Sequence, residues 1–382
     1  MKNQPKVALV CDWLTNVGGG EKVLLAFHEM FKDAPIYTSK YTPKNIDWFK
    51  DADVRTGWLQ IFPTWLRRIL GPLRQSYFKH LNLSEYDIVI SVTGAEAKFI
   101  RPKNGIHICY CHVPTQYYWG MYDDYIENPG FGFFNPIVRF FFKLMVKPLR
   151  KADYKAAQRP DYYITISKHA QNQIKKYYDR ESTIIAPGVE VDTFKAAFEE
   201  KPRVEDYFIA TSRQVNWKRL DLAIEACLKT NQRLLVIGTG PEHGKLVKLA
   251  GNSENIKFLP TMKKSKLAKY LSASKGYLFP SLEPFGIAPV EALAAGCPVI
   301  AFGEGGALDY IEDGKNGLLF KKQSVKSLAD AIEKFEGMKF NRAAISRSAE
   351  PFARERFDRD AMKFVEDAAK KAAEKAATKG EK

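Results

Sequence analysis

Short apolar runs alternate with amphipathic stretches along most of the chain. Runs such as 6–11, 276–279 and 299–302 are apolar at nearly every position, which is typical of strands buried on both faces of a parallel sheet. The stretches between such runs place apolar residues at helical spacing and end in glycine or proline. Strands that alternate with helices predict doubly wound α/β domains, and 382 residues are enough for two of them.

The stretch 276–302 carries the densest set of chemical signals. A predicted strand leads into a loop with Glu283, and a second predicted strand closes the stretch. Pro289 suits the first position of a helix, where its missing N–H costs no hydrogen bond, and Gly296 followed by Pro298 marks the end of that helix. The pattern therefore predicts a strand, an acidic loop, a helix and another strand.

The entrance of this predicted helix is suited to an anion. The first amides of a helix have no partner within it and carry the positive end of its dipole, so Phe285, Gly286 and Ile287 could hold a phosphate. Glu283 before the turn, and Glu291 in what we expect to be the first helical turn, could each accept two hydrogen bonds from paired sugar hydroxyls. Either glutamate alone could equally be a solvated residue or a complement to the dipole. Their combination favours a binding site.

The string 283–301, in which seven residues separate Glu283 from Glu291, resembles the signature of retaining glycosyltransferases of family four, which have the GT-B fold. The resemblance implies an α/β protein with two Rossmann-like doubly wound domains that face a cleft. It implies an acceptor- and membrane-facing domain at 1–186 and a nucleotide-sugar-binding domain at 187–355. Residues 356–382 are then a helix that returns to the first domain and a frayed tail.

Two basic residues follow the strand predicted at 207–211. Arg213 leaves the end of that strand, and Lys218 lies five residues later in the loop before a helix. A guanidinium can bind two phosphate oxygens at once and an ammonium acts as a point charge, so the two could neutralise a diphosphate. A solvated basic loop is the alternative. The resemblance assigns both residues to the donor diphosphate and, with Glu283, to catalysis.

The first predicted domain offers two further candidates. A glycine run lies between the strand 6–11 and a helix predicted at 21–31, where it could bind an anion or simply form a tight turn. His112 follows a strand predicted at 107–111, at the edge where an open parallel sheet places ligand contacts. By resemblance to mannosyltransferases that act on lipid-linked acceptors, the glycine run contacts the donor across the cleft and His112 faces the transferred sugar. The run consists of Gly18, Gly19 and Gly20.

The formal net charge of +15 calls for an anionic partner. Two segments of the first domain combine basic and aromatic residues. In 58–83 the apolar residues fall close to helical spacing and arginines lie between them, which predicts a helix in a membrane interface. The alternative is a core helix with a solvated basic face. The segment 131–151 is rich in phenylalanine, and Pro136 and Pro148 are expected to prevent one straight helix. The candidate membrane-binding residues are Trp65, Arg67, Arg68, Arg74, Phe140 and Lys143.

Other features narrow the class of protein. No apolar run is long enough to span a bilayer, and 1–5 lacks the apolar core of a signal peptide. We therefore expect a cytoplasmic protein, peripheral at the inner face of the cell membrane. The five cysteines lie in strand or helix patterns and are predicted to be reduced and buried, with no metal site. They are Cys11, Cys109, Cys111, Cys227 and Cys297.

The resemblance as a whole implies a retaining, metal-independent hexosyltransferase with no cofactor beyond its nucleotide-sugar co-substrate. The expected donor is GDP-mannose and the expected acceptor a lipid-linked glycan at an anionic membrane surface. A UDP-sugar donor is the alternative within this class. A basic nucleic-acid-binding protein is the alternative from another class, but it would show lysines and arginines along a readout element. Here the arginines accompany tryptophan and phenylalanine, so no nucleic-acid partner is expected.

Overall fold

The computed structural model describes residues 5–68, 70–127, 129–130 and 132–380, with the backbone alone at 67, 68 and 376–380. The chain divides into two compact units, each with a parallel sheet of its own. Met1–Ala186 and Asp358–Lys382 form the first unit, and Pro187–Phe357 forms the second. The prediction of two Rossmann-like α/β units is confirmed.

The first unit contains a seven-stranded parallel sheet with the order β3-β2-β1-β4-β5-β6-β7. Its central strands are almost wholly apolar and are buried on both faces, as their continuous apolar runs predict. The strand order reverses between β1 and β4, which is where open α/β sheets bind ligands, at the carboxyl ends of the strands. The strands are β1 (Val7–Cys11), β2 (Ile36–Thr38), β3 (Val54–Thr56), β4 (Ile88–Thr93), β5 (Ile106–Cys111), β6 (Tyr162–Thr165) and β7 (Thr183–Ile184).

Helices cover the sheet of the first unit. The last helix of the chain begins in the second unit and, from Asp358 onward, belongs to the first, where the Phe364 ring meets the Tyr162 ring edge-on at 6.1 Å between centroids. The helices of this unit are α1 (Gly19–Met30), α2 (Gly71–Lys79), α3 (Tyr122–Glu127), α4 (Asn135–Ala157) and α5 (Lys168–Tyr178).

The second unit contains six parallel strands in the order β10-β9-β8-β11-β12-β13. This order is the same as that of the first six strands of the other sheet, with its reversal between β8 and β11. The strands are β8 (Phe208–Thr211), β9 (Leu234–Ile237), β10 (Ile256–Leu259), β11 (Gly276–Phe279), β12 (Val299–Phe302) and β13 (Gly317–Phe320). The helices are α6 (Val191–Glu199), α7 (Leu220–Lys229), α8 (His243–Ala250), α9 (Lys264–Ala273), α10 (Ile287–Ala294), α11 (Val325–Glu336), α12 (Arg342–Ser348) and α13 (Arg354–Gly380), the last of which continues into the first unit.

Two local predictions are wrong, one on the segment 58–83 and one on the position of Glu291. The segment 58–83 is not one helix, because prolines divide it into two 3-10 turns, Trp58–Ile61 and Thr64–Arg68, and the short α2. In the segment 131–151 a 3-10 turn, Gly132–Phe134, precedes α4, and α4 continues through Pro148. Helix α10 begins at Ile287, two residues before Pro289, so Glu291 lies in its second turn and not in its first.

Among the helices that the structure describes, none combines the length and the apolar character needed to cross a bilayer.

Candidate active site

Lys218 and Glu283 are brought together in the second unit. The Lys218 Nζ lies 2.6 Å from Glu283 Oε1, and the Ser281 hydroxyl donates to the same oxygen at 2.9 Å. About a fifth of each charged side chain is exposed (21% and 20%), so the pair remains open to solvent. Lys218 follows β8 and Glu283 follows β11, the neighbouring strands at which the strand order reverses. The pair therefore occupies the position in which an open α/β sheet binds its ligand.

Arg213 lies in the same loop as Lys218 and is exposed. Its guanidinium carbon lies 5.6 Å from the centroid of the Trp217 ring, at cation–π distance. Trp217 thus holds the guanidinium near the end of β8 without neutralising its charge. Arg213 remains able to bind phosphate oxygens.

Buried contacts beneath this loop fix its path. The Gln214 side chain is fully buried, where its Nε2 donates to the Gly238 carbonyl at 2.8 Å and its Oε1 lies 2.8 Å from His243 Nδ1. The Gln214 amide donates to the Thr239 carbonyl at 2.9 Å. Gly238 and Gly240 permit this close approach of two backbones. Sequence reasoning missed Gln214, because a single glutamine in a loop gives no signal.

The helix entrance has the backbone conformation that only glycine adopts easily. Gly286 precedes α10 with φ of 90°, and a Cβ atom built there would lie 2.7 Å from Phe279 Cζ and 2.8 Å from Tyr310 Oη. The Tyr310 hydroxyl donates to the Phe285 carbonyl at 2.7 Å. The first amides of α10, including that of Ile287, therefore start from a fixed turn at the carboxyl end of β11.

A second glycine pair supports the Glu283 loop. The Gly306 amide donates to the Glu283 carbonyl at 2.8 Å. Gly305 has φ of 74°, and a Cβ atom there would lie 2.5 Å from the same carbonyl oxygen. Sequence reasoning missed both glycines. The available signal was their position just after a predicted strand, where tight turns approach a ligand.

Glu291 lies in the second turn of α10 and is buried, with a relative exposure of 8%. Its expected place in the first turn was wrong, because the helix begins earlier than Pro289 indicates. A role for its carboxylate toward ribose hydroxyls stays a prediction.

In the first unit the glycine run lies close to His112. Gly18 precedes α1, which begins at Gly19, and a Cβ atom at Gly20 would lie 2.9 Å from His112 Nε2. His112 follows β5 and is half-buried, and this burial lowers its pKa to about 4. Its imidazole is therefore neutral at pH 7 and can exchange hydrogen bonds with a sugar without adding charge.

Asp12, a residue that sequence reasoning did not assign, organises the same edge of the sheet. Its buried carboxylate accepts hydrogen bonds from the Gly94 amide at 2.9 Å, the Ala97 amide at 2.7 Å and the Thr93 hydroxyl at 2.9 Å. These bonds join the end of β1 to the loop after β4. Asp12 therefore supports the sheet edge that carries the glycine run.

The candidate membrane-binding residues do not share one environment. Trp65 and Phe140 are 67% and 61% exposed, and Lys143 is also exposed. Arg74 is only 4% exposed, with its Nε 2.8 Å from Glu96 Oε2, so its assignment to a membrane surface was wrong. Its charge is held in the interior by a carboxylate, which helical spacing in the sequence does not reveal. The side chains of Arg67 and Arg68 lie outside the described residues.

All five cysteines are free and buried, as predicted. Within the described part of the chain, no group of three histidine, cysteine, aspartate or glutamate side chains is arranged to hold a metal ion.

Comparison with known proteins connects this geometry to a family. Residues 192–351 match the family model described as "Glycosyl transferases group 1". The chain is 28% identical over 229 residues to an uncharacterized glycosyltransferase of Methanocaldococcus jannaschii. The aligned region covers 56% of this chain and 58% of the relative. The chain spans about half the length of the curated relatives it matches.

Solved structures share the fold. A sucrose-phosphate synthase from Thermosynechococcus elongatus aligns with a TM-score of 0.70 at 17% identity, over 96% of this chain and 99% of that one. HepE of Anabaena, solved in complex with UDP, aligns with a TM-score of 0.63 at 20% identity, over 98% of this chain and 100% of its own. Most of the second unit therefore matches the glycosyl transferases group 1 model, and the chain shares the fold of two Rossmann-like units with its GT-B structural neighbours.

Proposed function

We propose that the protein is a retaining glycosyltransferase that moves a hexose from a nucleotide diphosphate sugar to a lipid-linked acceptor at an anionic membrane surface. The observation that carries this proposal is the Lys218–Glu283 ion pair at the carboxyl edge of the second sheet, beside the entrance of α10. Retention of configuration and independence of metal follow from the resemblance of 283–301 to family four.

The ion pair suggests how a donor would bind. A diphosphate that accepts hydrogen bonds from Lys218 Nζ would replace the Glu283 carboxylate as the partner of this ammonium group. Glu283 is then free to accept hydrogen bonds from hydroxyls of the sugar. Arg213 and the first amides of α10 would add positive charge around the same phosphates.

These groups favour bond cleavage because they are already in place. Negative charge grows on the diphosphate as its bond to the sugar breaks, and fixed cations and amides stabilise that charge without reorganisation. We assign Glu291 to the ribose hydroxyls and His112, uncharged at pH 7, to the orientation of the transferred sugar. The glycine run, with Gly20 next to His112, would leave room for the donor.

Helix α4 supports the proposal that the protein binds a membrane surface. The first half of this helix and the turn before it expose a contiguous set of apolar side chains, and every charged residue in 135–152 is basic. Apolar side chains among basic residues favour the interface of an anionic bilayer, so we place the protein at the inner face of the cell membrane. The exposed apolar residues are Phe133, Phe134, Ile137, Phe140, Phe141, Leu144 and Met145.

GDP-mannose is the first donor to test, on the strength of the resemblance around His112. A UDP-sugar is the second, because HepE was solved in complexes with UDP and with UDP-glucose. A thermal-shift panel of GDP, UDP and ADP with their sugars separates the two, since a ligand that binds only the folded protein raises the melting temperature. The nucleotide that raises it most identifies the donor base.

Replacing either member of the ion pair tests the site. We expect Lys218→Ala and Glu283→Ala each to lower the transfer rate by a factor of about 10² or more, which is typical of removing one group that stabilises transition-state charge. Both side chains are partly exposed, so the melting temperature should hardly change. The measurement is the initial rate of hexose transfer from the donor that the thermal-shift panel selects.

Lys315→Ala is a matched control. Lys315 forms an exposed ion pair with Glu312 at 2.7 Å in the same unit, away from the strand reversal. This variant should keep full activity. A fully active Glu283→Ala protein would refute the assignment of the site.

A further inference from the structure

The first unit has a pocket at the edge of the sheet opposite to His112. Its volume is about 370 Å³, and it lies between the loop before β5 and the loop before β6. Arg101, His107, Arg159 and Asp161 contribute its polar lining. The pocket is within the size range of small-ligand sites and is not used by the proposed transfer reaction.

Positive charge dominates this pocket. Arg101 is exposed and Arg159 is half-buried, and neither forms an ion pair with any residue that the structure describes. Arg159 donates one hydrogen bond, to the Phe99 carbonyl at 2.9 Å. Burial and the charge of Arg101, which lines the same pocket, lower the pKa of Arg159.

The carboxylate in the pocket is already engaged. Asp161 Oδ2 accepts a hydrogen bond from the His107 amide at 2.8 Å, which fixes the carboxylate to the start of β5. The two guanidiniums therefore leave an excess of one positive charge over Asp161. Arginine pairs with uncommitted donors are well suited to a phosphate group.

His107, which lines the pocket, has a buried polar atom with no partner among the described residues. The residue is 2% exposed, and its Nε2 lies 2.8 Å from the Ser91 hydroxyl. Its Nδ1 is buried and has no hydrogen-bond partner among the described residues. Native proteins normally provide a hydrogen-bond partner for a buried polar atom, because leaving it unsatisfied is costly.

We propose that this pocket binds a phosphate monoester, held by Arg101 and Arg159 and reaching His107 Nδ1 at its inner end. A phosphate monoester offers acceptor oxygens to the two guanidiniums. It also suits either tautomer of His107, because its oxygens accept from an Nδ1–H and its monoanion can donate a P–OH to a bare Nδ1. The pocket shares no lining residue with the proposed donor site.

A titration with inorganic phosphate, followed by NMR of protein labelled with ¹⁵N-histidine, tests this proposal. The chain has six histidines, and the His107 signals are assigned by their loss in His107→Gln. We expect the His107 Nδ1 resonance to shift with phosphate and to saturate. Arg159→Gln and Arg101→Gln should each weaken phosphate binding about tenfold or more, as expected for loss of a charge-assisted hydrogen bond.

Two controls separate this site from others. Lys103→Gln removes one positive charge two residues from Arg101, outside the pocket lining, and should leave the affinity unchanged. Lys218→Ala should preserve the His107 response, whether or not that variant is inactive, so failure of the proposed transfer activity does not affect this result.

The source of the phosphate group is distinguished by two further probes, glycerol phosphate and phosphatidylcholine vesicles with or without phosphatidic acid. A saturable response to glycerol phosphate indicates a soluble phosphorylated ligand, and a response only to phosphatidic acid vesicles indicates a lipid headgroup. Both results support the site. A His107 resonance unmoved by every probe, or equal affinity in wild type and both arginine variants, would overturn the proposal.

Discussion

Gly286 sets the backbone turn at the entrance of α10, because a residue with a Cβ atom does not fit there without strain. At its φ of 90° a Cβ atom would collide with Phe279 and Tyr310. We expect Gly286→Ala to lower the free energy of unfolding by about 1–3 kcal/mol, the usual cost of a strained backbone position. We also expect weaker nucleotide diphosphate binding, because Tyr310 holds the Phe285 carbonyl in the same turn. Urea denaturation and the nucleotide-induced thermal shift measure the two effects.

Gly314→Ala serves as the matched control. Gly314 has φ of 78°, but a Cβ atom there would meet nothing within 4 Å. Its substitution should therefore cost only the backbone strain, about 1–2 kcal/mol, and leave nucleotide binding intact. Equal losses of stability and of nucleotide binding in the two variants would show that the turn at Gly286 has no special role.

Single residues also show where sequence reasoning ended. Lys218 and Glu283 are far apart in sequence, yet both could be predicted as site residues. Each follows a predicted strand, and the resemblance to family four supplied its role. Arg74 was wrongly assigned to the surface. Its buried partner Glu96 lies on another element, so the local sequence pattern does not reveal the pairing. Asp12 and Gln214 act through hydrogen bonds to loop backbones, and such bonds depend on tertiary positions that no local pattern encodes.

At the scale of elements, short apolar runs predicted part of each sheet, including β1 and β5 in the first and β8, β11 and β12 in the second, but not β2, β3, β4 or β13. The two basic aromatic segments were harder, because helical spacing and proline give opposing signals. In 58–83 the prolines prevail and the chain forms short turns, whereas Pro148 costs α4 one hydrogen bond and the helix continues. Packing of the second half of α4 explains the difference, since Val146, Leu149 and Ala156 are buried on either side of the proline.

The exposed first half of α4 leads to a prediction about membranes. Phe140 and Phe141 are 61% and 59% exposed, so Phe140→Ser with Phe141→Ser should leave the fold intact. Full burial of a phenylalanine in an apolar phase contributes about 1.5–3 kcal/mol. The double variant should therefore bind vesicles containing anionic lipid about tenfold or more weakly, as measured by co-sedimentation.

A double substitution in the second unit controls for the loss of apolar surface as such. Val247 and Leu249 of α8 are 41% and 37% exposed, and Val247→Ser with Leu249→Ser should leave vesicle binding unchanged. Raised salt should weaken binding of the wild-type protein, because the lysines of α4 are screened. Unaltered sedimentation of the phenylalanine variant would mean that α4 does not contact lipid.

At the scale of the whole molecule, titratable histidines and tryptophans are unequally divided between the two units. His107 and His112, whose pKa values burial lowers to about 3 and about 4, belong to the first unit. So do five of the six tryptophans, Trp217 being in the second. Tryptophan fluorescence therefore reports mainly on the unit whose stability these histidines make dependent on pH.

The sign of this dependence follows from the protons bound by each state. An unfolded histidine binds its proton near pH 6.5, whereas folded His107 stays neutral until about pH 3, so acid stabilises the unfolded chain. At pH 5 His107 alone should cost about 2 kcal/mol of stability relative to pH 7.5, since each pKa unit is worth about 1.4 kcal/mol. His112 adds a loss of the same sign, which continues down to about pH 4.

Urea denaturation followed by tryptophan fluorescence at pH 7.5, 6.5 and 5 measures this loss while most carboxylates remain ionised. In His107→Gln the difference between pH 7.5 and pH 5 should shrink by about 2 kcal/mol, because the substituted side chain does not titrate. His80→Gln replaces an exposed histidine of the same unit and should keep the wild-type difference. A wild-type stability that is constant from pH 7.5 to pH 5 would mean that the His107 and His112 rings can be protonated without unfolding the first unit.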